Sequence, residues 1–409
     1  MNILYLTSEY KDFRLGKNDA YTYISNSFCR EWVKQGHNVV VIHNTNCFPK
    51  IIYYAPKLLK QWFELKAGFT WGSYQSVKKD EYYDDDVYVY RLPIKKYIPH
   101  QSPTEKQLDR QVIKIVEILK NREFEPDAII GQWISPQMEL IYRLKEKYDC
   151  PTSVVLHGSN YLTSEKFQVK KYLEHIDYLG ARSEKHAEEV NRLLNLGKPP
   201  FVCYSGLPNE YIKAYKKDLK KFDNIKKWKF AFVGRLVEYK KADVLIKALS
   251  TIKDVDWELN VLGEGAQLPE LKQLCKEIEC ENKVHFYGKV DRDEVLKILS
   301  ESHCFVMVSV GEVFGLVYLE AVGACCITVA SKGGGIDGVI KNAENGYLID
   351  EGNEQQLSEL LNKIVRMDSQ ELKKIASKGY DTAIEFSESK VAKKYLESAV
   401  GDQNSSLNS

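Results

Sequence analysis

Short apolar runs alternate with longer amphipathic segments along almost the whole chain, and this alternation constrains the fold more than any other feature. The runs lie at 3–6, 39–42, 87–90, 128–130 and 153–156 in the first half, and at 230–233, 259–262, 284–287, 305–308 and 327–329 in the second. Between them, apolar residues recur at helical spacing, as in 22–35, 105–121, 243–251 and 269–279. A short run that is apolar on both faces and leads into a helix belongs in a parallel sheet covered on both sides. Ten such strands exceed an ordinary twisted sheet. The pattern therefore predicts an α/β protein with two doubly wound, Rossmann-like parallel-sheet domains. A length of 409 residues agrees with that.

The expected boundary falls in the lysine-rich segment between Ser205 and Lys229. This divides the chain into a first domain at 1–205, a linker at 206–228 and a second domain at 229–385. A helical pattern at 386–400 is expected to pack back on the first domain, and the polar tail 401–409 to fray.

In open parallel sheets, ligands bind at the carboxyl ends of the strands, so the loops after the runs carry the candidate sites. The first run leads to Thr7-Ser8-Glu9-Tyr10 and then to Gly16, and the fifth leads to His157-Gly158-Ser159-Asn160. In the second half the loops open Gly234-Arg235, Gly263-Glu264-Gly265, Gly288-Lys289-Val290 and Ser309-Val310-Gly311-Glu312. Glycines cluster where a ligand approaches backbone closely. Arg235 and Lys240, two cations on one loop, suit diphosphate oxygens. Gly263-Glu264-Gly265 lacks the third glycine of a dinucleotide fingerprint, and neither a P-loop pattern nor metal-ligand spacing occurs.

Glu312 and Glu320 stand seven residues apart, one on a loop and one inside an apolar helical pattern that starts near Phe314. Eight residues of helix span roughly 12 Å. Between the two acids, a helix N-terminus offers free N–H groups and a positive dipole to an anion. From spacing alone they read as two hydroxyl acceptors flanking an anion site, the layout for a sugar–diphosphate–ribose ligand, or as paired acid/base catalysts.

Formal net charge is +1, which gives no case for a nucleic-acid partner. Nine cysteines without CxxC spacing read as reduced thiols in a cytoplasmic protein. The N-terminus has no signal-peptide pattern, and no apolar run reaches the ~18 residues of a membrane span. The stretch 48–79 mixes Trp62, Phe63, Phe69 and Trp71 with Lys57, Lys60 and Lys66. That composition fits the inner face of an anionic membrane, which makes peripheral association an expectation. Asp84-Asp85-Asp86 reads as a turn at a strand end rather than a metal motif.

The second half closely resembles the retaining GT-B glycosyltransferases of family four. The resemblance rests on Phe232-Val233-Gly234-Arg235-Leu236 followed by Lys240, and on Leu262-Gly263-Glu264-Gly265. It continues through Val284 to Val290, the Glu312–Glu320 pair, Gly333-Gly334-Gly335 and Glu344-Asn345-Gly346-Tyr347-Leu348. It covers 229–400 strongly and 1–205 more loosely, through the opening strand, Gly36-His37-Asn38-Val39 and His157-Gly158.

The resemblance implies a GT-B fold, with the two domains facing a cleft and the first on the acceptor side. It implies that Glu312 contacts hydroxyls of a donor sugar and that Glu320 holds ribose hydroxyls. Phe314, Gly315 and Leu316 would offer backbone N–H groups to a diphosphate. Arg235 and Lys240, beside Gly234, would neutralise that diphosphate in place of a metal. Backbone at Lys289 and Val290, next to the Gly263 loop, would receive the nucleobase. His157 would face the reacting sugar, and the Gly16 loop would close over the phosphates. The implied reaction moves a hexose-type sugar, with UDP as the expected carrier, to a glycan or lipid-linked acceptor in cell-surface polysaccharide synthesis. No metal cofactor is called for. No carboxylate on the first-domain side suggests a nucleophile, which favours front-face departure. The alternatives are a catalytically silent nucleotide-sugar binder or a sugar-nucleotide epimerase of the same fold. The chain departs from the family pattern at Asn160, often Asp, at Lys241, usually Gly, and at Ile336-Asp337, often Pro-Glu.

Overall fold

The computed structural model describes residues 1–18, 24–56, 73–97, 101–159, 162–164, 168–215, 217–312 and 314–401. The chain divides into two compact units. The first comprises Met1–Arg182, Ala187–Cys203 and the chain from Ala392, and the second comprises Ser183–His186 and Tyr204–Val391.

The first unit is built on strands β1 (Asn2–Thr7), β2 (Asn38–Cys47), β3 (Asp80–Asp84), β4 (Val87–Lys95), β5 (Ala128–Gln132), β6 (Thr152–Val155), β7 (Tyr178–Ala181) and β8 (Phe201–Val202). Their order is β3-β4-β2-β1-β5-β6-β7-β8, all parallel except the β3–β4 edge hairpin. Both faces of β1 are apolar because β1 is central. Leu4 pairs with Val40 on one side and Ile129 on the other, and Ile3 to Leu6 are fully buried. Helix Glu105–Asn121 starts at a capping box between Thr104 and Gln107, and covers the sheet with Leu108, Val112, Ile115 and Leu119. The last helix, Glu388–Val400, contributes its second half to this unit. Trp32 Nε1 donates to Ala392 O at 2.8 Å, and the Tyr395 ring lies 4.9 Å from that of Phe28.

The second unit carries β9 (Trp228–Val233), β10 (Trp257–Leu262), β11 (Val284–Gly288), β12 (Cys304–Met307), β13 (Ile327–Ser331) and β14 (Tyr347–Ile349). Their order, β11-β10-β9-β12-β13-β14, is that of the doubly wound nucleotide-binding sheet. The direction of winding reverses between β9 and β12, so the loops after those two strands diverge and leave a crevice at the sheet's carboxyl edge.

All ten apolar runs lie on strands. Strands β3, β7, β8 and β14 were not among them. They are polar edge, or two to four residues long, and too short to show a period. Residues 206–228, lysine-rich in sequence, place Leu207, Tyr215, Phe222 and Trp228 in the core of the second unit. Even Lys221 is recruited, donating to Ser302 O and Ala324 O at 2.6 and 2.7 Å. Charge content conceals this packing because lysine stems lie along apolar surface while their ammonium groups reach out. The nine cysteines are free thiols, eight of them buried.

Candidate functional site

The loop after β9 and the loop after β12 meet at the switch point of the second sheet. There the Lys240 ammonium pairs with the Glu312 carboxylate, and Lys240 Nζ also lies 3.7 Å from Met307 Sδ on β12. Both side chains are about one-seventh exposed, at 12% and 16%, so the pair is largely withdrawn from water yet open at one side. The main chain fixes both partners. Val310 N donates to Tyr239 O at 2.7 Å, and Gly335 N donates to Glu312 O at 2.8 Å, which gives the Gly333-Gly334-Gly335 run a role in holding Glu312. The nearest neighbours of a Cβ added at Gly234 would be Met307 Sδ, the Phe232 ring edge and the end of Lys240, at 3.7 to 4.0 Å. Arg235 turns its guanidinium to the Tyr239 hydroxyl at 2.9 Å. Lys241 sits at φ +56°, in the left-handed region that glycine favours, and stands just ahead of helix Ala242–Ser250.

Helix Leu316–Gly323 follows Glu312 and is buried almost all round. Phe314 anchors its entry, with its ring 5.6 Å from that of Tyr204. Gly315 has φ +77°, and a Cβ there would come within 2.7 Å of the Tyr318 ring. Tyr318 in turn donates to Met307 O at 2.6 Å and pins the helix to β12. Leu316 opens the helix, and Tyr318 N, in its first turn, donates to Gly315 O at 3.0 Å. Glu320 is one turn further in and 1% exposed. The structure does not bring it to Lys240. It pairs instead with Arg292, the first residue of helix Arg292–Glu301.

The loops after β10 and β11 are packed backbone to backbone. A Cβ on Gly263 would fall 1.8 Å from Gly234 O, and one on Gly265 2.1 Å from Leu236 O. Leu236 N donates to Glu264 O and Gly263 N to Gly288 O. These glycines therefore admit neighbouring backbone, where the sequence suggested ligand approach. Glu264 Oε1 accepts from Lys289 N at 3.4 Å, and Val290 packs partly against the core.

In the first unit, His157 stands just past the end of β6. Its Nε2 lies 2.9 Å from Gln132 Oε1, and its ring stacks on Trp133 at 4.0 Å and 20°. Trp133 has φ +76°, an uncommon conformation for a bulky residue and one that concentrates at functional sites. Its place one residue beyond β5 was the available sequence signal. Gly16 has φ +55° and ψ −129°, and among the described residues a Cβ added there would meet no atom within 4 Å. Buried carboxylates hold the start of its loop. Asp12 accepts from Arg91 at 2.6 Å and from Arg14 at 2.7 Å, while burial alone would raise its pKa; these hydrogen bonds prevail and hold it below the ordinary value. Asp84 accepts from the Tyr10 hydroxyl at 2.9 Å and Asn26 at 2.8 Å and pairs with Arg30. The Asp84-Asp85-Asp86 run is thus a hairpin turn with a structural carboxylate. Asn160 lies outside the described residues. Arg292, Tyr239, Glu264 and Gln132 were not singled out in the sequence, because each acquires its role from a partner distant along the chain or hidden by loop geometry.

Residues 213–382 match the family model of glycosyl transferases group 1. An uncharacterized glycosyltransferase of Methanocaldococcus jannaschii is 25% identical over 268 residues, 64% of this chain and 71% of that protein. The N-acetyl-alpha-D-glucosaminyl L-malate synthase of Bacillus anthracis is 28% identical over 44% of this chain and 48% of its own length. In structure, Anabaena HepE in complex with UDP superposes with a TM-score of 0.66 at 19% identity, covering 97% of this chain and 99% of that one. The doubly wound sheets and the whole-chain likeness agree on a GT-B fold, and within it residues 213–382 match the group 1 glycosyl transferases.

Proposed function

We propose that the protein transfers a hexose-type sugar, with retention, from a nucleoside-diphosphate donor to a hydroxyl of a glycan or lipid-linked acceptor. The observation that carries this reading is the Lys240–Glu312 pair at the β9/β12 switch point, with Arg235 on the same loop. A sugar diphosphate needs cations at the diphosphate and an acceptor for its hydroxyl protons, and both chemistries meet there. In the reaction, the bond from the anomeric carbon to the diphosphate oxygen breaks and its electron pair leaves with the phosphate. The acceptor oxygen bonds to the same face of that carbon, and its proton passes to the departing phosphate oxygen. Arg235 and Lys240 stabilise the charge that develops on the leaving group, so the reading calls for no metal.

UDP is the favoured carrier, the nucleotide bound in Anabaena HepE, which shares this fold. A surface-glycan or lipid acceptor is favoured by the aromatic and lysine content of 48–79. The part of that stretch at 57–72 lies outside the described residues, while Ile51 and Tyr54 beside Lys50 are exposed. Among the described residues, no helix is long and apolar enough to cross a membrane. The deciding experiment incubates the protein with UDP-hexoses and follows UDP release and the anomeric configuration of any product, with and without EDTA. Transfer with retained configuration, undiminished by EDTA, is the expected result. Inverted product would overturn the mechanism, and isomerised donor without transfer would support the epimerase reading.

A further inference from the structure

Glu320 is a carboxylate at 1% exposure, and a charge so buried needs a partner. Arg292 supplies it, pairing through Nη2 with Glu320 Oε1. Arg292 is held in place from two sides. It opens helix Arg292–Glu301, whose N-cap Asp291 accepts from Glu294 N at 3.0 Å, and its guanidinium lies 5.2 Å from the Tyr211 ring centre. Tyr215 belongs to the same neighbourhood, with its ring against Gly323 on the helix that bears Glu320.

Five buried polar atoms in this cluster, Glu320 Oε1 and Oε2, Arg292 Nε and Nη2, and Tyr215 Oη, make no hydrogen bond among the described residues, and of these only Oε1 and Nη2 face each other as an ion pair. Leaving each such atom unpaired is costly, and a folded core rarely concentrates them without a use. The two carboxylate oxygens differ in one respect: Oε1 faces the Arg292 cation, and Oε2 faces no donor among the described residues.

We infer that Arg292 is a positioning residue for the nucleoside end of the donor: it pairs with Glu320 Oε1 and leaves Oε2 as the acceptor for a ribose hydroxyl. This rests on the reading of Glu320 as the ribose-holding group. Without the guanidinium, nothing opposite Oε1 holds this buried carboxylate in place, and Oε2 loses its fixed direction as an acceptor.

Calorimetric titration of the full chain with UDP, ADP and GDP, and with the 2′-deoxy and 3′-deoxy forms of whichever binds, tests the inference. Wild-type protein is expected to favour the ribonucleotide over at least one deoxy form by roughly 10–100-fold, the size of one hydrogen bond to a charged group. Arg292→Met is expected to bring that ratio to within about twofold while the diphosphate still binds, and Arg292→Lys to restore most of it. Loss of general stability would weaken all the nucleotides alike and leave the ratio unchanged, so the ratio separates positioning from mere support. If Arg292→Met does not fold, Arg292→Gln serves in the same comparison. An unchanged ratio in the variant, or tighter ribonucleotide binding, overturns the role of Arg292. Wild-type binding without any ribose preference overturns the role of Glu320 as well. Absence of binding by every nucleoside diphosphate overturns the donor-site reading itself, and this inference with it.

Discussion

Lys240 and Glu312 form an ion pair although 72 positions separate them in sequence. The parallel sheet is what joins them. Strands β9 and β12 are neighbours despite the two intervening strands, and the loops that leave them open on the same crevice. The pair is accordingly a property of the winding order.

Removing either partner strands the other in a largely buried position. Lys240→Ala and Glu312→Ala are each expected to lower kcat for sugar transfer by about 100-fold or more. The double variant is expected to lose less stability than the two single losses combined, because it leaves no unpaired charge. Urea denaturation of the three variants checks the coupling, and near-wild-type turnover in both single variants would remove these residues from the reaction.

The glycines of the crevice differ in what a methyl group would meet. Gly263→Ala drives a Cβ into Gly234 O and is expected to cost roughly 3 kcal/mol or more. Gly16→Ala meets no atom of the described residues and bears the strain of its φ of +55°, about 1 kcal/mol. Thermal unfolding should rank the two in that order. A Gly263→Ala protein as stable as Gly16→Ala would contradict the packing of the β9 and β10 loops.

His303 makes stability depend on pH. Its Nδ1 accepts from Lys229 N at 2.9 Å and its Nε2 donates to Lys221 O at 3.1 Å, a pattern that only the neutral ring satisfies. Burial lowers its pKa to about 4, and the nearby Lys221 and Lys229 charges push the same way. The unfolded chain takes up this proton near pH 6.5 while the folded protein does not. The contribution is thus present in full above 6.5 and is lost as pH falls towards 4, at roughly 1.4 kcal/mol per pH unit. His303→Gln should flatten the decline of the urea midpoint between pH 7 and 4.5, and an unaltered slope would count against this origin.

Anionic vesicles offer a check on residues 48–79. Full-length protein is expected to co-sediment with phosphatidylserine-rich liposomes and to be released by salt, since each lysine near such a surface contributes about 1 kcal/mol. Equal sedimentation with neutral liposomes, or none at all, would dismiss the anionic membrane surface as a partner.

Much of the fold was legible because its signals are local. The apolar runs lie on strands, and helices Ala242–Ser250, Leu268–Glu277 and Glu388–Val400 begin and end within a few residues of their periodic patterns. Glu312 and Glu320 sit as their spacing suggested, one on a loop and one a turn inside the helix. Other features were illegible for equally physical reasons. The core residues of 206–228 lie among lysines that report only on charge. Gly263 and Gly265 exist for the carbonyl oxygens of Gly234 and Leu236, which are near only after folding.

By itself the sequence determined the alternation of strand and helix, and with it two parallel sheets whose carboxyl-end loops carry Arg235, Lys240, Glu312 and His157. These follow from periodicity and from the position of polar residues at the ends of apolar runs. Only the tertiary structure decided who meets whom: Lys240 with Glu312, Arg292 with Glu320, and His157 with Gln132 and Trp133. Partner choice depends on strand order and on which charges burial forces together, and neither is encoded in any local stretch of chain.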